Sequence, residues 1–188
     1  LSAELVLLTH SHFDHVAAAA EVVAAFPGAT IACHAECASR AEDGRLNLSF
    51  IATGAALRGP RAGRHLADGE RFAAAGLEFE AIHVPGHAAG HLVYVTQGAQ
   101  GSQGTHGGED PEPGRTAAFC GDAIFAGSIG RTDLPDGDTE LLLAGIHALL
   151  ARLPEDARLY PGHGPATTVR KEKRNNPFLR GCRGETAV

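Results

Sequence analysis

The stretch Thr9-His10-Ser11-His12-Phe13-Asp14-His15 places three imidazoles and a carboxylate within six residues. These are ligands for zinc, iron and manganese, and with no thiolate in the set spacing alone does not choose among the three. In extended backbone the side chains at i and i+2 point the same way, about 6.6 Å apart. His10 and His12 can therefore converge on one ion. A turn after Phe13 sends Asp14 and His15 another way, onto a second ion about 3.5–4 Å from the first, the separation that two-metal hydrolases use. One histidine in such a place reads as a surface residue; this cluster reads as a metal site.

The flanking sequence indicates how the cluster is held. Leu5-Val6-Leu7-Leu8 is a short, bounded apolar run, which fits a buried strand. Val16 to Phe26 is alanine-rich, long enough for a helix, and stops at Pro27-Gly28. The junction between a buried strand and a helix is where open α/β folds place their chemistry. The same arrangement recurs: His87 follows Val84-Pro85-Gly86, Asp122 follows Cys120-Gly121, and His163 follows Tyr160-Pro161-Gly162. Each time an apolar strand ends in a metal-capable residue, and the adjacent glycine lets backbone come close. The expected set is His10, His12, Asp14, His15, His87, Asp122 and His163, delivered from one edge of a sheet.

Between these points the chain alternates short strands and helices. Thr30–His34 reads as a strand and Ala35–Arg40 as a short helix. Residues 42–63 read as a loop anchored by Leu46, Leu48, Phe50, Ile51 and Leu57. Asp68-Gly69 is a hairpin turn signal, with strands at Arg71-Phe72 and Leu77–Val84; the second alternates, so that one face is solvated. His91–Thr96 and Thr116–Cys120 are strands. Residues 97–115, rich in glycine and polar residues, read as a flexible surface loop. Thr139–Leu153 carries a helical apolar stripe, Arg158–Tyr160 is a last strand, and Val169–Asn176 is a charged helix with a solvated Arg170–Arg174 run. No domain boundary or repeat interrupts residues 1–188, which are expected to form a single domain. His83 reads as a packed or hydrogen-bonded histidine; His91, at the start of the next strand, reads the same way, with orientation of a ligand or carbonyl as the alternative; His34, His65, His106 and His147 have no ligand-like neighbours.

The bulk properties narrow the function classes. The chain has 188 residues, 44% hydrophobic and 20% charged, with a formal net charge of −6, which argues against a nucleic-acid surface. No apolar run approaches the roughly 20 residues of a membrane span, and Leu1–Leu8 lacks the basic start and cleavage site of a signal peptide. Cys33, Cys37, Cys120 and Cys182 do not complete a second closely spaced pair and read as reduced cysteines of a cytoplasmic protein.

Taken together, Thr9–His15, Pro85-Gly86-His87-Ala88-Ala89-Gly90-His91, Gly121-Asp122, Gly127–Pro135, Tyr160–Pro165 and Asn176–Leu179 resemble the metallo-β-lactamase superfamily, and within it the glyoxalase II-like hydrolases. The motifs span nearly the whole chain in the family's order. The resemblance implies an α/β fold of the αββα kind, two mixed sheets flanked by helices with the site at one edge. It implies two divalent ions, zinc first with iron or manganese as alternatives: one held by His10, His12 and His87, the second by Asp14, His15 and His163, with Asp122 between them. The superfamily carries about fifty residues before the His-x-His motif (implied by the resemblance), so an incomplete N-terminal sheet is expected here, whether from a fragment or a depleted fold.

The resemblance implies a small-molecule thioester, S-2-hydroxyacylglutathione above all, as the substrate, attacked by a water that two cations ionise near neutral pH. The leaving thiolate has a parent pKa of about 8.5 and needs little acid assistance. Two divalent ions supply about +4; Asp14, Asp122 and a hydroxide leave about +1, which suits an anionic substrate. Arg131 is the candidate for a substrate carboxylate, against a plain salt bridge with Asp133 or Asp136. The alternatives are a mononuclear iron persulfide dioxygenase and a metal-binding module without turnover. Neither a membrane nor a nucleic-acid partner is expected, and the oligomeric state is left open.

Overall fold

The computed structural model describes residues 2–97 and 114–180. In chain order it contains β1 (Leu5–Leu7), α1 (Phe13–Val16), α2 (Ala19–Ala25), β2 (Thr30–Cys33), α3 (Ala35–Ala41), α4 (Ser49–Thr53), β3 (Arg64–His65), β4 (Arg71–Ala74), β5 (Leu77–His83) and β6 (Leu92–Gln97). After these come β7 (Thr116–Gly121), β8 (Ile124–Phe125), β9 (Ser128–Ile129), α5 (Thr139–Arg152), β10 (Arg158–Pro161), β11 (Thr167–Thr168), α6 (Val169–Asn175) and α7 (Pro177–Arg180). β1, β2 and β3 make a parallel sheet in that order. The larger sheet runs β11-β10-β7-β6-β5-β4 and is mixed, since β10 lies parallel to β7 and the other pairs are antiparallel.

Three apolar clusters fix the order of the layers. Leu8, Val16, Ile31, Cys37, Ala38 and Ala41 pack α1–α3 onto the outer face of the first sheet. Ala32, Phe72, Ala81, Leu92 and Tyr94, with Leu5 and Leu7 against them, fill the space between the two sheets. Ile82, Val84, Val93, Cys120, Leu142, Ile146 and Leu149 join the large sheet to α5. Strand alternation produces this division: along β6, Leu92 and Tyr94 face the other sheet while Val93 faces α5. The result is the expected αββα layering, with the mixed pairing confined to the larger sheet. Cys33, Cys37 and Cys120 are free and buried; Cys182 and His106 lie outside the described residues.

Several local expectations change. β1 is half-buried, not buried, because it is the outer strand of its sheet among the described residues. The first helix begins inside the motif, at Phe13, and is interrupted at Ala17-Ala18 before α2. Asp68-Gly69 is a turn between the sheets; the hairpin turn is Ala75-Gly76, where both residues have positive φ (51° and 75°), as a type I′ turn requires. In the 42–63 region the expected apolar anchors point outward, with Phe50 52% and Ile51 68% exposed. Buried polar groups hold this excursion instead: Asn47 Nδ2 donates to the Ala41 and Leu57 carbonyls, and Ser49 Oγ accepts from Leu57 N–H. In α6, Glu172 is buried rather than solvated, and accepts from Thr167 Oγ1, Gly127 N–H and Asn176 Nδ2. The proposed 97–115 loop falls almost wholly outside the described residues, between Gln97 at the end of β6 and Thr116 at the start of β7.

Candidate metal centre

The motif is held to the large sheet by two hydrogen bonds. Tyr94 Oη donates to the Leu8 carbonyl at 2.7 Å, and Leu92 N–H donates to the Thr9 carbonyl at 2.8 Å. From there the backbone stays extended through His12 (φ −62°, ψ 146°) and turns helical at Phe13. His10 and His12 therefore point one way, and Asp14 and His15, on α1, point another. The other candidate ligands arrive at the ends of strands. His87 follows β5, Asp122 follows β7 and His163 follows β10. The β7–β10 register slips at Tyr160/Pro161, an irregularity of the kind that re-aims side chains beside functional sites.

The structure brings all seven predicted ligands together in two neighbouring groups. In the first, His10, His12 and His87 are buried, and their rings stand nearly perpendicular at 84°, 79° and 78°, with centroids 4.6–4.9 Å apart. His10 Nε2 and His87 Nε2 are 3.3 Å apart. His87 Nδ1–H donates to the Arg131 carbonyl at 2.9 Å, which fixes the tautomer and leaves Nε2 open toward the group. In the second, His163 Nε2 lies 3.0 Å and His15 Nε2 3.6 Å from Asp14 Oδ2. The Asp122 carboxylate sits between the groups, 3.2 Å from His15, 3.6 Å from His163 and 3.8 Å from His87.

The electrostatics suit cation binding. Burial, reinforced by the surrounding imidazoles, holds His10 well below the ordinary histidine range and His12 down at about 4; burial also lowers His87. These rings are thus neutral at pH 7, the form that coordinates metal. Burial works against ionisation of Asp122, yet its contacts with His15, His87 and His163 outweigh it and depress the carboxyl. His15 feels the same balance from the other side: burial lowers it, and Asp122 and Asp14 raise it overall. His15 Nε2 and Asp122 Oδ1 are both buried and face each other without hydrogen-bond geometry. A cation between them would satisfy both, so the donor set fits a metal.

Two glycines make the close packing of the site possible. A Cβ on Gly162 would lie 2.3 Å from Asp122 Oδ1 and 2.6 Å from His15 Cε1. A Cβ on Gly130 would lie 1.9 Å from the Asp122 carbonyl and 3.1 Å from the His87 ring.

Other residues also shape the site. His91, fully buried and stacked on His10 at 5.0 Å, accepts from Asp122 N–H through Nε2 and so helps to set the aspartate's backbone. Arg131 enters the site through its carbonyl, while its exposed guanidinium forms a bidentate pair with Asp133. His34 does have ligand-type neighbours, Glu36 and His83. Its ring, however, lies parallel to His83 (8°, 4.7 Å), so the lone pairs fall in separate planes, and its Nδ1 already caps α3 by accepting from Glu36 N–H. A crevice of about 540 Å³ lined by Arg71, Glu80, Gln97, Thr116 and Arg152 opens at the opposite end of the large sheet, away from the histidines. No helix among the described residues is long and apolar enough to cross a membrane.

The family description "Metallo-beta-lactamase superfamily" matches residues 4–100. The chain is 35% identical over 185 residues to hydroxyacylglutathione hydrolase GloC of Haemophilus influenzae, covering 95% of this chain and 77% of that protein. Among solved structures it is similar to the BLEG-1 B3 metallo-beta-lactamase (TM-score 0.79, 34% identity, 95% of this chain and 78% of that one). It is also similar to TTHA1623 in a di-iron-bound form (TM-score 0.72, 37% identity, 94% of this chain and 77% of that one).

Proposed function

Because this chain belongs to the metallo-β-lactamase superfamily, a family of metal-dependent hydrolases, we propose that it is a two-metal thioester hydrolase whose substrate class is S-2-hydroxyacylglutathione. The observation that carries this reading is the Asp122 carboxylate lying between two ligand groups, within 3.8 Å of histidines from both. His10, His12 and His87 would hold one divalent ion, Asp14, His15 and His163 the second, and Asp122 both. Zinc is the proposed metal, with iron or manganese as alternatives; a relative has been solved with two irons. Bound there, the ions would supply an ionised water near neutral pH and polarise the thioester carbonyl.

The chain's own residues do the rest. The buried first triad, His10, His12 and His87, keeps bulk water from that side of the centre. Asp14, 58% exposed at the mouth, can take the proton released as water ionises on the carboxylate oxygen that does not hold the ion, and return it to solvent. Arg131, whose exposed guanidinium now pairs with Asp133, would bind a substrate carboxylate in exchange for it. The glutathione substrate is supported by the GloC relative. The second reading, hydrolysis of a β-lactam amide at the same centre, is favoured by the likeness to BLEG-1.

The test is elemental analysis of the purified chain combined with a panel of thioesters and β-lactams, with and without chelator. Two metals per chain and chelator-sensitive thioester turnover are expected. One iron per chain with oxygen consumption would replace this reading with a dioxygenase, and metal-replete protein without turnover would leave a binding module.

A further inference from the structure

Residues 130–138, between β9 and α5, meet the candidate metal centre at Gly130 and Arg131, and both ends of this loop are fixed. At its start Gly130 N–H donates to the Ala123 carbonyl, and the Arg131 carbonyl accepts from His87 Nδ1. At its end Asp138 N–H donates to the Gly86 carbonyl, and Asp138 Oδ1 caps α5 at Leu141 N–H. The middle is held across the molecule. Arg40 on α3 donates through Nε and Nη2 to the two carboxylate oxygens of Asp136, at 2.7 and 2.6 Å, with both side chains about three-quarters shielded (22% and 27% exposed). Asp136 sits at φ 69°, in the left-handed region.

α3 is packed by Cys37, Ala38 and Ala41 against Leu8 and Val16, that is, against the half of the molecule that carries His10 to His15. The loop belongs to the half that carries His87 and Asp122. We propose that the Arg40–Asp136 pair is a clamp joining the two halves across the metal centre: it fixes the 130–138 loop against α3, and thereby the Arg131 carbonyl and the His87 imidazole. Arg40 and Asp136 are then positioning residues. A fork-to-carboxylate pair sets angle as well as distance, whereas an isolated exposed pair would have little effect. The proposal rests on the two-metal reading only in taking His87 as a ligand.

The test is a double-mutant cycle with R40Q and D136N, since asparagine tolerates the left-handed backbone and glutamine removes both the charge and the two-point fork while leaving a polar side chain. Zinc affinity is measured by chelator competition, and hydrogen exchange of the 131–138 amides is followed in metal-free protein. Each single variant is expected to weaken zinc binding by about tenfold, the lower range for a group that orients a ligand, and to speed exchange in the loop. The double variant should be no worse than either single, because the two groups act as one. R40K, which keeps the charge and loses the fork, should recover only part. Zinc affinity within about twofold of wild type, or a fall in melting temperature with loop exchange unchanged, would overturn the clamp. Failure of wild-type protein to cleave thioesters would sink the substrate reading alone, because neither readout depends on turnover.

Discussion

Replacing Gly162 with alanine is the sharpest challenge to the arrangement at the metal centre. Gly162 is exposed, and by position alone the change should be harmless. Its added Cβ, however, would stand 2.3 Å from Asp122 Oδ1, short of the 3.4 Å where ordinary contact begins by about 1.1 Å, and 2.6 Å from His15 Cε1. Neither neighbour can retreat freely: Asp122 is tethered by His91 through its backbone N–H, and His15 is on a helix whose next residue, Val16, is fully buried. A displacement of about 1 Å in a catalytic group lowers turnover by about 10²-fold, or about 2.7 kcal/mol of barrier. The assay is thioester hydrolysis alongside elemental analysis and thermal denaturation. Gly164→Ala is the control: nothing lies within 4 Å of its added Cβ, but its φ of +78° imposes backbone strain, so it should lose about 1 kcal/mol of stability and keep its metal. Wild-type turnover and metal content in Gly162→Ala would refute the placement of the Asp122 carboxylate against the 161–164 turn.

Other outcomes follow from the same geometry. Asp122→Ala should lose metal and hydrolysis together, and full activity in that variant would contradict its place between the two groups. Metal-free protein should lose stability as pH falls: His12 has a folded pKa of about 4 against 6.5 unfolded, so the unfolded chain takes up the proton first, and the loss grows from pH 6.5 downward and levels off below about 4. His12 alone is worth about 3 kcal/mol across that window, partly offset by His15, whose raised pKa favours the fold on the acid side; a flat melting temperature from neutral to acid pH would contradict the burial argument. Chelation should proceed in two stages, because Asp14 and His163 are 58% and 57% exposed while His10 is fully buried; single-stage loss of both ions would show that the groups do not differ in access.

The features legible in the sequence were those fixed by local chemistry. The spacing of His10, His12, Asp14 and His15 matched a backbone that is extended and then helical, and a switch of that kind needs only local residues. The strand-end placement of His87, Asp122 and His163 was legible because each follows an apolar run closed by glycine. The features that stayed hidden depend on distant partners. Leu46, Phe50, Ile51 and Leu57 have the composition of core anchors, yet Asn47 and Ser49 take the buried positions because their side chains satisfy the carbonyls and N–H groups of an irregular segment. Asp68-Gly69 carries the stronger turn signal, but Ala75-Gly76 makes the hairpin because β4 and β5 pair in the register that joins Phe72 to Phe79.

Arg131 shows that a residue can serve a site through its backbone as well as its side chain. Its guanidinium is the proposed ligand for a substrate carboxylate, while its contact with the described site is made by its carbonyl, a group that every residue possesses. What selects position 131 is the path of the loop: Gly130 must lack a side chain to pass the Asp122 carbonyl, and the next carbonyl then falls 2.9 Å from His87 Nδ1. The constraint on the proposed metal centre therefore extends from its seven candidate ligands to the backbone that touches them. Substitutions that keep residue 131's carbonyl in place, Arg131→Ala among them, should spare metal binding, whereas any side chain at 130 should not.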